Sequence, residues 1–181
     1  MRPVWLRAGV TLFALLAAVS LYEQMEMPAP APELKKLDFL TGNWTAEGTM
    51  TPPGPQSSSA TKWTMTLNAE WLEGNYFLVE HSEGDLGPMG KVKELAVMGY
   101  DRDRKVYTYN AFSSLGEAES ATGTIDGDTW TWLSDEHMNG TTFKGRYTMK
   151  VLSPTSYRMK FEMSQDGTNW ATAMEGKATK K

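Results

Sequence analysis

Hydrophobic and polar residues alternate along most of the chain beyond residue 42, which is the pattern of half-buried β-strands. In residues 62–71 (KWTMTLNAEW), apolar side chains occupy every second position and polar side chains occupy the positions between them. Residues 143–151 (FKGRYTMKV) and 156–164 (SYRMKFEMS) repeat this alternation. Successive side chains of a strand point to opposite faces, whereas a helix would scatter the same residues around its surface. The pattern therefore predicts an all-β fold.

Turn-forming sequences divide this region into about ten strands. Asp126-Gly127 and Asp166-Gly167 are typical of hairpins, and the charged stretch 101–105 (DRDRK) is expected to form a turn. Short connections favour an antiparallel meander, and a meander of ten strands avoids exposed edges by closing into a single barrel. We place the strands near residues 43–51, 61–72, 75–83, 92–101, 105–113, 117–125, 129–134, 141–152, 156–164 and 169–177.

A different periodicity precedes the strands. Leu34, Leu37 and Leu40 recur at intervals of three, which predicts a short N-terminal helix with one apolar face. Gly42 follows, and glycine permits the unusual φ and the close backbone approach needed where the chain enters its first strand. Trp44 is large enough to seal the base of a barrel, so Gly42 and Trp44 are expected to have structural roles.

The N-terminus is typical of an export signal. Arg2 and Arg7 give the start of the chain a positive charge. They precede an uncharged apolar run over residues 8–21, which is short for a membrane span. We assign residues 1–20 to a signal peptide, 21–32 to a tether rich in proline and alanine, and 33–181 to one barrel domain. The expected location is periplasmic or secreted, with no transmembrane segment after cleavage. An uncleaved N-terminal anchor remains an open alternative.

The charge balance and the cysteine content limit what the domain is expected to bind. The chain has 18 basic and 22 acidic residues, a net charge of −4, and removal of residues 1–20 takes away two arginines and shifts the net charge to −6. This acidic balance argues against binding nucleic acid through a basic face. The chain has no cysteine, so it has neither disulfides nor thiolate metal sites.

Three stretches carry a resemblance to a known family. The stretches are LDFLTGNWTAEGTM (37–50), MGYDRDRKVYTYNAF (98–112) and FEMSQDGTNWATAMEGKATKK (161–181). They resemble an exported bacterial family known as domain of unknown function 1579. The likeness spans residues 33–181, and it implies a fold and export but no established activity.

The helix followed by G-x-W and a meander also resembles the calycin-like barrels: lipocalins, fatty-acid-binding proteins and nitrobindins. Lipocalins pair the basal tryptophan with an arginine on the last strand. The last predicted strand has no arginine here, which leaves Lys177 or Arg158 as the nearest substitute.

The alternation also predicts which side chains line the barrel. Residues 121–125 (ATGTI) offer small side chains that would leave room, and the loops at 51–60 and 83–91 could rim a mouth. We therefore expect a small apolar or amphipathic ligand in the barrel, with the hydroxyls of Tyr147 and Tyr157 as polar handles. The expected ligand-binding wall consists of Trp63, Met65, Phe143, Tyr147, Met149, Tyr157, Met159, Phe161, Met163 and Trp170.

Two other functions stay open. His81 shares a face of its strand with Phe77 and Val79, so it is a weak candidate for a metal ligand or for the haem ligand of a nitrobindin-like nitric oxide protein. The second alternative is a filled barrel that acts as a structural or interaction module.

Recognisable chemistry is otherwise missing from the sequence. The chain has two histidines, neither in a metal-type spacing, and we expect neither a metal nor a cofactor. It has no nucleophile motif, and its carboxylate pairs are expected only on turns or outward faces, which favours a binding protein over an enzyme. Catalysis by residues distant in sequence stays open, and the sequence does not specify the oligomeric state.

Signal cleavage is expected between Ser20 and Leu21, because small residues end the apolar run there. N-terminal sequencing of protein recovered from the periplasm of an expressing bacterium should begin at Leu21. Recovery of a chain that still begins at Met1 would contradict cleavage and favour the uncleaved anchor.

Overall fold

The computed structural model describes residues 28–51, 59–138 and 140–181. The expected signal peptide, most of the tether and most of the loop at 51–60 lie outside these ranges. The described chain begins with a 3₁₀ helix, Pro32–Leu40, and continues into strands. The strands are β1 (Gly42–Met50), β2 (Thr61–Trp71), β3 (Leu78–Asp85), β4 (Lys91–Asp101), β5 (Val106–Ser113), β6 (Ala118–Asp126), β7 (Thr129–Met138), β8 (Thr141–Ser153), β9 (Ser156–Ser164) and β10 (Ala171–Lys180).

The strands form one closed barrel in which each pairs antiparallel with its neighbours in sequence. The first strand closes the barrel by pairing with the last, in a register that runs from Trp44 opposite Lys180 to Met50 opposite Met174. The all-β prediction of a single antiparallel meander barrel with about ten strands is confirmed. Closure leaves no sheet edge, which removes the unpaired N–H and C=O groups that an open meander would expose.

Strand positions agree with the sequence pattern to within about three residues, with two informative differences. β7 extends to Met138, four residues beyond its predicted end. β10 runs from Ala171 to Lys180, so it ends three residues later than predicted. Both extensions consist mostly of polar residues, and such strand ends give a weak alternation signal.

The 3₁₀ helix closes the base of the barrel. A 3₁₀ helix has three residues per turn, so the interval of three brings Leu34, Leu37 and Leu40 to one side, and all three are buried. They join the core cluster of buried strand residues that includes Trp44, Trp130 and Tyr157. The helix is therefore a plug, held by the apolar face that the sequence predicted.

Trp44 stands directly above this plug. Gly42 has φ +93°, as expected for the turn into β1. Trp44 is 2% exposed, and its indole Nε1 donates a hydrogen bond of 2.8 Å to the carbonyl of Leu40. Its ring lies 5.2 Å from the rings of both Phe39 and Tyr157, measured between centroids. The indole therefore joins helix, first strand and ninth strand.

The basic partner of Trp44 is Lys180. Its Nζ lies 5.4 Å from the centroid of the Trp44 ring, and the two residues are register partners across the closing strands. The expected substitutes, Lys177 and Arg158, are instead exposed. The sequence interpretation missed Lys180 because it ended the last strand at residue 177.

Two acidic turns have local, structural roles. Asp101 accepts hydrogen bonds from the backbone N–H groups of Asp103 and Arg104, at 3.0 and 2.9 Å, which makes DRDRK the expected β-turn. Asp166 accepts from the backbone of Thr168 and Asn169, both at 2.8 Å, and these bonds lower its pKa. The Asp166 turn sets the start of β10.

Replacing Trp44 with alanine should lower the free energy of unfolding by about 3–5 kcal/mol, because the change opens a cavity in the core and orphans the carbonyl of Leu40. Urea denaturation measures the loss. Trp170→Ala is the matched control, since Trp170 is half-buried and stacks on Arg146 outside the core; it should cost less than about 1 kcal/mol. Equal losses for the two variants would contradict the plug.

Candidate functional site

The interior of the barrel has a closed end and an open end. The 3₁₀ helix, Trp44 and the turns after β2, β4, β6 and β8 lie at the base. The connections after β3, β5, β7 and β9 lie at the opposite end, which we call the mouth. The expected mouth loop at 83–91 is shorter than predicted, because β3 continues to Asp85 and β4 resumes at Lys91.

Most of the predicted wall faces the interior. In β2, β8 and β9, the predicted residues share the face of buried core residues such as Ala69, Met149 and Tyr157. Their role in binding stays a prediction. The inward-facing members are Trp63, Met65, Phe143, Tyr147, Met149, Tyr157, Met159, Phe161 and Met163.

Trp170 does not belong to the interior. Its ring lies over the guanidinium of Arg146, 4.1 Å from Cζ to the ring centroid, and Arg146 points outward from β8. The cause is a β-bulge between Thr172 and Met174. A bulge adds one residue and reverses which face the preceding residues occupy, so the prediction for Trp170 is wrong.

The expected inner-wall position of His81 is also wrong. His81 is exposed, while Leu78 and Ser82 on the same strand are buried. The inward face of β3 is therefore the one that carries Leu78, Glu80 and Ser82. The other histidine, His137, is exposed as well, and its Nδ1 lies 3.0 Å from Thr142 Oγ1.

The space expected beside residues 121–125 is occupied. A Cβ at Gly123 would meet the ring of Trp132 at 2.4 Å, so Trp132 fills the room that the small side chains leave. Trp132 is 8% exposed and belongs to the core cluster, although the sequence interpretation did not include it in the wall. Glycine at position 123 is thus required by close packing.

Several inward-facing side chains nevertheless remain accessible to solvent. Met65, Tyr147, Met159 and Phe161 are half-buried although they point into the barrel. In a filled barrel, side chains in these positions would be buried by their neighbours across the interior. Their accessible surface indicates that the side chains do not fill the barrel completely.

Tyr147 and Tyr157, the expected polar handles, both lie within the barrel. Burial raises the pKa of both hydroxyls, and each also lies close enough to affect the other's pKa. The negative charge of Glu80 contributes to the rise for both. Both tyrosines are therefore neutral hydrogen-bonding groups at physiological pH.

Four carboxylates line the interior, contrary to the expectation that carboxylates lie only on turns and outward faces. Each shares a face with buried residues of its own strand, as Glu80 does with Leu78 and Ser82. Counting from the base, Glu80 is the deepest, and the other three lie nearer the mouth. The four are Glu80 on β3, Glu94 on β4, Glu119 on β6 and Glu136 on β7.

The environments of Glu80 and Glu119 disfavour the charged form of their carboxyl groups. Burial, followed by the charge of Glu94, raises the pKa of Glu80 to about 7. Burial, followed by the charges of Glu136, Glu94 and Glu117, raises the pKa of Glu119 to about 7. These groups repel one another and titrate near neutral pH.

Glu94 has the same tendency, with one compensating contact. Burial raises its pKa, while the hydroxyl of Tyr109 donates a hydrogen bond of 3.0 Å to Oε1 and lowers it. Ser134 similarly donates to Oε1 of Glu136 at 2.5 Å. The two carboxylates are held in position by neutral donors rather than by cations.

Metal binding is not indicated within the part of the chain that the structure describes. There, no group of three or more histidine, aspartate or glutamate side chains converges as the ligands of one metal ion would.

No helix among the described residues is long and apolar enough to cross a membrane.

Grooves on the outside of the barrel differ in character from the interior. One has a volume of about 1070 Å³ and is lined mainly by outward polar side chains such as Thr64, Glu83 and Lys93. Another, of about 790 Å³, runs past Leu133, Lys144 and Trp170. These grooves are open to solvent and do not enclose a ligand as a small-molecule site does.

The inner carboxylates had a signal in the sequence that was not used. Leu78-x-Glu80-x-Ser82 and Trp130-x-Trp132-x-Ser134-x-Glu136 each continue a buried face into polar residues. Treating polar residues as outward by default reversed β3 and truncated β7.

Comparisons with known proteins agree with this architecture. The profile of the family described as "Protein of unknown function (DUF1579)" matches residues 29–180, so the chain belongs to this family. This confirms the resemblance found in the sequence. No curated protein matches the chain significantly.

Two solved structures are similar. The crystal structure of Rv2717c from M. tuberculosis has a TM-score of 0.60 and 14% identity, over 84% of this chain and 99% of that chain. The S-type phycobiliprotein lyase CPES from Guillardia theta has a TM-score of 0.51 and 11% identity, over 81% of this chain and 91% of that chain. At such identities the likeness shows the fold alone.

The raised pKa of Glu80 predicts an unusual dependence of stability on pH. Its folded value of about 7 exceeds the ordinary value of 4.5, so the unfolded chain releases this proton first and stability is lost as pH rises through this window. The melting temperature of the ligand-free protein should therefore be higher at pH 5 than at pH 8.

Glu80→Gln should reduce this difference, because glutamine does not titrate. Glu175→Gln, an exposed change on β10, is the matched control and should leave the difference unchanged. A melting temperature that rises from pH 5 to pH 8 in the wild type, or no effect of Glu80→Gln, would contradict a buried carboxyl of raised pKa.

Proposed function

We propose that this member of the DUF1579 family binds a small amphipathic molecule inside its barrel, and that it does so as an exported protein without catalysing a reaction on the ligand. The export part rests on the apolar run at residues 8–21 and on the resemblance to an exported family. The binding part rests on the two-sided interior of the barrel.

The observation that carries the proposal is the contrast between the two walls. Strands β8, β9 and β10 contribute accessible aromatic and thioether side chains, among them Phe161, Met159 and Met174. Strands β3, β4, β6 and β7 contribute the four glutamates. Apolar walls with a few polar groups that fix orientation are characteristic of small-molecule sites, and flexible methionines adapt to varied apolar shapes.

The comparisons support this proposal at the level of fold. The structure named as a phycobiliprotein lyase belongs to the same architecture, which indicates that barrels of this shape are not confined to structural roles. At 11% identity, its activity does not transfer to this chain.

The geometry does not support the haem-binding alternative. A haem site of the nitrobindin type would need an inward histidine as its axial ligand, and both His81 and His137 are exposed on the outside. The residues present therefore do not fit the group. The filled barrel remains as the competing outcome of a binding experiment.

Binding can be tested with the neutral fluorescent probe N-phenyl-1-naphthylamine, which gains fluorescence in apolar surroundings. The wild-type protein should enhance its emission with saturation. Met159→Trp should weaken binding by about tenfold or more, because Met159 is inward and half-buried and the larger ring would occupy the accessible space next to it.

Leu152→Trp is the matched control, because Leu152 is 48% exposed on the outer face of β8. It should bind the probe as the wild type does, and circular dichroism should show both variants folded. Wild-type protein that never enhances emission, across a panel of neutral apolar probes, would favour the filled barrel over a ligand site.

A further inference from the structure

The four inner glutamates form an acidic strip that starts at Glu80, two residues from the base end of β3, and continues toward the mouth. Glu80 senses the charge of Glu94, and Glu119 senses the charges of both Glu94 and Glu136. The strip therefore crosses five adjacent strands, with Tyr109 of β5 bridging to Glu94. Carboxylates at this density inside a barrel repel one another unless a cation joins them.

No cation of the protein joins the strip within the described residues. None of the effects on the pKa of Glu80, Glu94 or Glu119 comes from a lysine or arginine. The inward faces of β1 and β2 carry no basic residue, and on β10 the inward lysine, Lys180, lies at the base over Trp44.

The outside of the barrel shows that the chain pairs an acid when the pair is structural. Glu162 is 6% exposed, and both Arg146 and Lys160 reach it, at 2.9 and 2.7 Å. Burial acts to raise the pKa of Glu162, but these two contacts lower it overall. The inner glutamates differ from Glu162 in lacking such partners.

A second observation points to a missing ligand group at the same place. Ser82 is 6% exposed and lies on the inward face of β3, directly opposite Glu94 and two residues from Glu80. Its Oγ has no hydrogen-bond partner. Buried hydroxyls are nearly always paired, so Ser82 lacks a donor or acceptor that a bound molecule can supply.

The chemistry of the strip selects an organic cation over a metal ion. A metal ion requires several ligands converging on one point, and the described side chains form no such cluster. A protonated amine has three N–H donors, so two carboxylates and one hydroxyl satisfy it and no third carboxylate or histidine is needed. The thioether and aromatic wall opposite accommodates an apolar body.

We infer that the ligand is a protonated primary amine with an apolar body, held by Glu80, Glu94 and Ser82 with its apolar part against β8, β9 and β10. This inference rests on the proposed function and deepens it by naming the ligand's charge and class.

The inference can be tested with three probes that share one alkyl chain: decylamine, decanol and decanoate. Isothermal titration calorimetry at pH 8 should show that decylamine binds about tenfold more tightly than decanol, because one added charge-assisted hydrogen bond gives a difference of about this size. Decanoate should bind most weakly. Glu80→Gln and Glu94→Gln should each remove most of the preference for the amine, because glutamine keeps the shape and loses the charge.

Two controls separate this inference from its premise. Decanol should bind the glutamine variants as it binds the wild type, which shows that the barrel is intact. Glu175→Gln, which removes one exposed charge from the outside of β10, should keep the full preference for decylamine.

The pH dependence gives an independent readout. An alkylamine resembles lysine, whose pKa is about 10.4, so between pH 6 and 8 the probe stays charged and only protein groups titrate. Glu80 and Glu119 gain negative charge across this range. The other two glutamates of the strip are Glu94 and Glu136. The neighbouring tyrosines stay neutral, namely Tyr109, Tyr147 and Tyr157. Affinity for decylamine should rise with pH, and the rise should be smaller in Glu80→Gln.

Each outcome is decisive. Equal affinity for decylamine and decanol would overturn the amine inference and leave the proposed function standing. A preference for decylamine that survives in both glutamine variants would also overturn it, since the preference would then come from elsewhere. Binding of none of the three probes would overturn the inference together with the proposed function.

Discussion

The pairing of the first strand with the last is the interaction on which the rest of the structure depends. Once β1 and β10 are joined, every second residue of ten strands must share one enclosed space. Trp44 and Lys180 are opposite each other at the base end of that seam, where the indole meets the 3₁₀ helix and the lysine caps its ring. Closure and plugging are thus accomplished by the same pair of strands, and the chemistry of the interior is determined by which residues point inward.

The sequence predicted the fold well because closure depends on features visible locally. Alternation located the strands, turn residues located their ends, and the interval of three among the leucines located the plug. Gly42 and Trp44 were recognisable because one needs a positive φ and the other a buried partner. These are short-range constraints, which a single sequence expresses directly.

The site was harder to predict because it breaks the rule used to find the strands. The rule that apolar residues point inward assigned the two faces of β3 the wrong way round. It predicted that His81 faces the interior and Glu80 the solvent, whereas the structure shows the reverse. The outer position of Trp170 depends on a bulge after it, which the local pattern does not reveal. Conflicts between local pattern and global fold are expected where function, rather than packing, decides the residue. The inner glutamates are such a conflict.

Burying an unpaired carboxylate costs free energy, and a neutral side chain at the same place would not incur that cost. The barrel has room for neutral residues on this wall, since Ala96, Ala111 and Ala121 already line it. Protonation relieves Glu80 and Glu119, as their raised pKa values allow, at the expense of their charge. The inward faces of the described strands bring no basic side chain to the strip, so a cationic guest is the partner that would let the carboxylates keep their charge. An amine beside Glu94 would pair with the otherwise unpartnered hydroxyl of Ser82 and with the carboxylates together. In the proposed site, the free energy lost by burying unpaired carboxylates in the ligand-free barrel is therefore the source of its selectivity for a cation.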